Sequence, residues 1–139
     1  MKKMYLLTIA MMSFLFCSSF LKAQEQQSAN VVKVIYFHGN NRCTTCNNME
    51  KYTRELLGED YSAEMKKGKV VFEVYNFDDE SNAEIVAKYK IESSTLLLVK
   101  TKNGKEKLSD LTEIGFNYAK YEEEKFKESV AKKLNEALR

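Results

Sequence analysis

The 139 residues contain no proline and no tryptophan, one histidine, three cysteines and five glycines. The missing proline removes the one residue before which a cis peptide bond is cheap, at about 0.5–1 kcal/mol against about 2.5–4 kcal/mol elsewhere. Charge of one sign is also missing, since 22 Lys and Arg stand against 20 Asp and Glu. Three of those cations (Lys2, Lys3, Lys22) lie in the first 23 residues, which hold no acid, so the remainder carries 19 cations against 20 acids. No nucleic-acid partner is expected on this balance, because neutralising a run of phosphates needs a basic face and the chain has no overall basic excess to build one. No apolar run reaches the roughly 20 residues that cross a bilayer. With 44% apolar and 30% charged residues, the composition is that of one globular domain, not of a disordered chain, a coiled coil or a multi-span membrane protein.

The longest apolar stretch, residues 4–16, follows Lys2 and Lys3 and leads through Cys17, Ser18 and Ser19 to a Leu21-Lys22-Ala23 exit. This is the pattern of a secretory signal peptide over residues 1–23, with cleavage after Ala23, and it is too short for the alternative, a signal anchor. Cys17 follows Phe16, whereas a lipid-attachment cysteine follows a small residue, so lipidation is not expected. The membrane then matters only for export. Residues 24–30 form a short polar lead and residues 31–139 the domain, placed in the periplasm or secreted, where conditions are oxidising.

Residues 31–37 are rich in β-branched and aromatic residues and end in His38-Gly39-Asn40-Asn41, which predicts a buried strand entering a loop. Arg42-Cys43-Thr44-Thr45-Cys46 follows, and then Met49, Tyr52, Thr53 and Leu56 at helical spacing, with Gly58 expected to end the helix. A short helix over 59–67, a strand over 69–77 and a helix ending at Tyr89, capped from Asp78, Asp79 or Ser81, come next. Leu96-Leu97-Leu98-Val99 is a continuous apolar strand, Lys102-Asn103-Gly104-Lys105 a hairpin turn, and 106–108 its short partner. From about Ala119, Phe126, Val130, Leu134 and Leu138 recur every four residues and predict a closing amphipathic helix. The expected order is β-α-β-α-β-β-α.

Cys43 and Cys46 are the only cysteines beyond the leader. A thiol at a helix start meets unpaired backbone N–H groups and the positive end of the helix dipole, which favour thiolate, and the adjacent Arg42 pushes the same way. Cys43 is therefore expected to be the nucleophile, ionising below the free-thiol value of about 8.5. Cys46, one turn on and more covered, is expected to be the resolving thiol. A structural disulfide is the plain alternative, but so short a loop constrains the unfolded chain little.

A strand, a Cys-X-X-Cys pair at a helix start and the β-α-β-β-α order after it resemble the thioredoxin superfamily over residues 31–138. Tyr89-Lys90-Ile91 followed by Ser94-Thr95-Leu96-Leu97-Leu98-Val99 is similar to the segment before and along the family's third core strand. Tyr36-Phe37-His38-Gly39 with the Cys43 motif resembles more narrowly the ArsF family, small secreted proteins labelled nitrophenyl compound nitroreductase subunits. The resemblance implies a minimal α/β thioredoxin-like fold, with a central mixed sheet and helices on both faces. It implies no cofactor, and a protein thiol or disulfide as partner.

Three departures follow. The family's initial strand and helix are absent, as is its aromatic-plus-Gly-Pro signature around the pair. No Asp or Glu occurs between Val31 and Met49, so His38 is the only titratable base near the motif. The position of the family's cis-proline falls at Ser94, beside Thr95, where a trans bond is expected. Ser94 in place of a proline ring would leave room for a ligand at the sulfurs. Three function classes therefore stay open: a secreted thiol-disulfide oxidoreductase, a soft-metal or arsenic(III) binding module through Cys43, Cys46 and His38, and a non-catalytic accessory subunit.

Overall fold

The computed structural model describes residues 30–139; the segment expected to be a signal peptide and most of the expected polar lead lie outside the described residues. The chain runs β1 (Val31–His38), α1 (Thr44–Asp60), α2 (Ser62–Lys66), β2 (Val70–Asn76), a 3-10 turn (Glu80–Asn82), α3 (Ala83–Tyr89), β3 (Thr95–Lys102), β4 (Lys105–Asp110), α4 (Thr112–Tyr118) and α5 (Glu123–Leu138). The four strands form one sheet in the order β2-β1-β3-β4. β1 pairs parallel with β2 and antiparallel with β3, and β3 with β4 antiparallel, so the sheet is mixed and its edges are β2 and β4.

Apart from Lys33, β1 is apolar from Val31 to Phe37 because it is central and covered on both faces. Its alternate residues separate two cores. Val32, Val34 and Tyr36 join Met49, Leu57, Phe126 and Leu134 under α1 and α5. Ile35 and Phe37 join Leu97 and Val99 on the other face, where Ile85, Val86 and Tyr89 of α3 pack against them. Helices thus cover both faces, as expected. The Asn103-Gly104 turn has φ of 52° and 73°, the left-handed pair that a two-residue hairpin turn requires.

The structure moves several expected boundaries, among them the hairpin partner, which runs Lys105–Asp110 rather than 106–108, and it adds a helix. Gly58 does not end α1, which continues to Asp60. A mid-helix glycine costs only about 1 kcal/mol, and buried Leu56, Leu57 and Tyr61 on either side outweigh it. α2 starts at Ser62 rather than at residue 59, and α5 starts at Glu123 rather than at Ala119. Between β4 and α5 lies α4, absent from the expected order. Its start is fixed locally: Asp110 Oδ1 accepts from the Thr112 N–H at 2.8 Å, and Thr112 Oγ1 accepts from the Leu96 N–H at 3.0 Å. Gly115 lets α4 lie against α1, because a Cβ there would collide with the Met49 side chain.

Candidate active site

The Cys pair sits where β1 hands over to α1. Gly39 is buried beside Phe77 and Asp78, and a Cβ on it would lie 2.8 Å from the Phe77 ring, so any larger residue there would have to displace that ring. The loop is then tied to the end of β2: the Asn40 N–H donates to Asp78 Oδ2 at 2.7 Å and Asn76 Nδ2 to Asn40 Oδ1 at 2.8 Å. These bonds deliver Cys43 to the N-cap of α1.

Cys43 and Cys46 form a disulfide with Cα atoms 5.0 Å apart. Cys43 Sγ accepts from the Cys46 N–H at 3.1 Å, the place a Ser or Asp oxygen takes in an ordinary cap. Sulfur accepts weakly when neutral and more strongly as thiolate, so the capping bond and the helix dipole both favour the ionised form once the disulfide opens. Cys43 is exposed, whereas Cys46 is 6% exposed, and Ser94 Oγ lies 3.8 Å from Cys46 Sγ. The two residues therefore differ in exposure.

The backbone of the pair is bound by Arg42 and by Tyr36, whose role at the site the sequence alone did not show. The Tyr36 hydroxyl donates to the Cys46 carbonyl at 2.8 Å, and Arg42 Nη2 reaches the same oxygen at 3.4 Å. Burial raises the Tyr36 pKa, with the Arg42 charge and hydrogen bonds from Ser94 and Arg42 opposing it, so Tyr36 stays a neutral donor. Arg42, expected to act on Cys43, directs its guanidinium to Glu50 Oε2 at 2.7 Å and lies 5.8 Å from the centre of the Tyr36 ring. Glu50 also takes Arg54 Nη2 at 2.7 Å. The signal for Glu50 was its spacing, four residues before Arg54 on α1.

Burial raises the Glu50 pKa, but hydrogen bonds from Arg54 and Arg42, and their charges, outweigh it and hold the carboxyl below its ordinary range. A depressed folded-state value contributes stability above the unfolded value of about 4.3, and that contribution is lost as pH falls through the folded value. The thermal midpoint of the parent should therefore drop more steeply than that of Glu50→Gln between about pH 5 and about pH 3. Equal slopes would show that the Arg42-Glu50-Arg54 cluster does not act through Glu50.

His38 ends β1 with Nδ1 3.0 Å from the Gly39 carbonyl oxygen and its ring 6.1 Å from that of Tyr36. Among the described residues no three His, Cys, Asp or Glu side chains come together as a metal-binding group, so the trio of Cys43, Cys46 and His38 is not assembled. Thr95 Oγ1 donates to the Ser93 carbonyl at 2.8 Å, fixing the loop before β3. The described residues contain no cis peptide bond, so the bond before Ser94 is trans.

A Cys-X-X-Cys pair opens the helix that links two parallel strands, and an antiparallel hairpin extends the same sheet. The fold is thioredoxin-like. No family model matches the chain and no curated protein matches it. Among solved structures the chain is similar to a malarial protein at 22% identity, over 58% of this chain and 81% of that one, with a TM-score of 0.42. It is similar to thioredoxin-2, a component of malaria parasite protein secretion machinery, at 19% identity over 58% and 70%, TM-score 0.41. A thioredoxin from Thermus thermophilus shares 15% identity over 58% of each chain, TM-score 0.35. Among the described residues of this thioredoxin-like chain, no helix is long and apolar enough to cross a membrane.

Proposed function

We propose that the chain is a thiol-disulfide oxidoreductase that exchanges disulfides with a protein partner through Cys43, acting outside the cytoplasm after cleavage at Ala23, with residues 31–139 as its domain. The asymmetry of the pair carries this reading. An exposed sulfur on a helix N-terminus is placed to meet a partner, and a buried one a turn later is placed to displace it.

In the reducing direction, the Cys43 thiolate attacks a partner disulfide, forming a mixed disulfide and releasing one partner thiolate. The Cys46 thiolate then attacks Cys43 Sγ, forming the Cys43–Cys46 bond and expelling the second partner thiolate. The partner gains two electrons and the chain loses two, and the same steps reversed oxidise a partner dithiol. Tyr36 and Arg42, by holding the Cys46 carbonyl, keep the first turn of α1 in place while the sulfurs change partners. Ser94 lies beside the resolving sulfur and Thr95 anchors the loop that carries it. The resemblance of Tyr36-Phe37-His38-Gly39 and the Cys43 motif to the ArsF family is compatible with this chemistry and adds no step to it.

A Cys46→Ala protein should stall at the mixed disulfide, giving a reducible adduct on Cys43 that nonreducing electrophoresis and mass spectrometry identify. The Cys43→Ala/Cys46→Ala protein should give none. Adduct recovered equally from both variants would remove Cys43 from the nucleophilic role.

A further inference from the structure

The β3–β4 hairpin carries a concentration of positive charge that the redox chemistry does not use. Lys100 lies directly across from Lys107, and Lys102 directly across from Lys105. Side chains alternate along a strand, so all four ammonium groups issue from the face that also carries Leu98 and Ser109. Like charges directly opposed across a ladder are unfavourable. Among the described residues none of the four has an ion-pair partner, because the nearby acids are engaged: Glu106 with Lys88 at 2.8 Å and Glu136 with Lys133 at 3.4 Å.

Lysine on an edge strand is a known defence against edge-to-edge pairing, and it accounts for Lys105 and Lys107 on β4. It does not account for Lys100 and Lys102, which lie on the interior strand β3. The four lysines also line a cavity of about 680 Å³ between the hairpin and the last turns of α5, with Leu98 and Ala137 as apolar lining. That volume is within the range of about 300–1,000 Å³ typical of small-molecule sites. The cavity is remote from the disulfide. Thr101 pairs with Val31 and Thr95 with Phe37, so the hairpin turn lies at the opposite end of β1 from Cys43.

We propose that this cavity binds a small molecule bearing several phosphate charges, such as an organic di- or triphosphate, with the ammonium groups of Lys100, Lys102, Lys105 and Lys107 around the phosphates and the organic body against Leu98 and Ala137. Compact ammonium charges suit phosphate oxygens, and an anion among them turns an opposed pair from a repulsion into a bridge.

The test uses inorganic tripolyphosphate as probe, with calorimetric titration at physiological ionic strength and thermal unfolding. The parent should bind with saturable one-to-one stoichiometry and melt higher with the anion present. Lys100→Gln/Lys107→Gln should bind at least about tenfold more weakly, the equivalent of one charge-assisted hydrogen bond. Without anion it should melt at or above the parent temperature, because an unfavourable pair has been removed. Lys66→Gln/Lys67→Gln, on the surface near α2, should bind as the parent does. Lys102→Gln/Lys105→Gln repeats the test on the second pair. The proposal is overturned by an absence of saturable binding, by equal loss in the α2 variant, by hairpin variants that melt below the parent without anion, or by binding to phosphatidylglycerol vesicles with none to tripolyphosphate.

Discussion

Cys43→Ser should lower turnover in an insulin-type disulfide reduction assay by at least about 1,000-fold, the scale on which removal of a nucleophile acts. Serine keeps the size of the N-cap residue and supplies a better neutral acceptor for the Cys46 N–H, so α1 should remain capped and the protein folded. The loss would then belong to the chemistry and not to the scaffold. Cys46→Ser differs in kind, because it leaves the attacking sulfur intact and should permit one round of adduct formation before stalling. Circular dichroism on both variants checks the fold. Comparable turnover in Cys43→Ser and the parent would mean that exchange does not pass through this sulfur.

Phe126→Ala should cost about 3–5 kcal/mol, the range for emptying a fully buried aromatic position. That is a large share of the roughly 5–15 kcal/mol that holds a domain together. Phe126 is fully buried with Val130 and Leu134, and its ring lies 6.2 Å from that of Tyr52 on α1. The stripe therefore fastens α5 both to the sheet and to the helix that carries the cysteines. Urea unfolding followed by circular dichroism should show a markedly lower midpoint. Phe116→Ala is the comparison: Phe116 is 50% exposed, and its loss should stay within about 0.5 kcal/mol. Equal midpoints for the two variants would show that the α5 stripe is not what holds the core.

The elements that could be read from the sequence are those whose burial is strongly periodic. Residues 31–37 are apolar at every position but Lys33 because β1 is covered on both faces, and the four-residue recurrence of α5 is its buried stripe. α4 escaped because seven residues with a central glycine show too little periodicity, and only Met49, far away in sequence, explains that glycine. At the site, Cys43 and Cys46 were legible from spacing and context. Arg42 was singled out for the wrong neighbour: adjacency suggested Cys43, but the guanidinium finds an acid farther along the chain, Glu50 on α1. Tyr36 was hidden because an aromatic residue in an apolar strand looks like packing, and only the fold brings its hydroxyl to the Cys46 carbonyl. His38 shows the converse, since sequence proximity to the motif did not place it in a ligand group with both cysteines.

Among the described residues β2 pairs only with β1, and its other edge has no strand beside it. Its seven residues, Val70–Asn76, contain no proline or glycine and a single formal charge, Glu73, which Lys33 answers at 2.7 Å. A short, nearly neutral, β-prone segment at an open edge is the kind that recruits a like strand from another molecule. The other edge, β4, is guarded by lysines, so self-association of partly unfolded chains is directed to β2. Glu73 is then the gatekeeper of the molecule's solubility, and the Lys33 ion pair that tethers it within the fold also blunts it. The strand that completes the parallel pair and holds the loop leading to Cys43 is thus the one through which the protein is most exposed to aggregation.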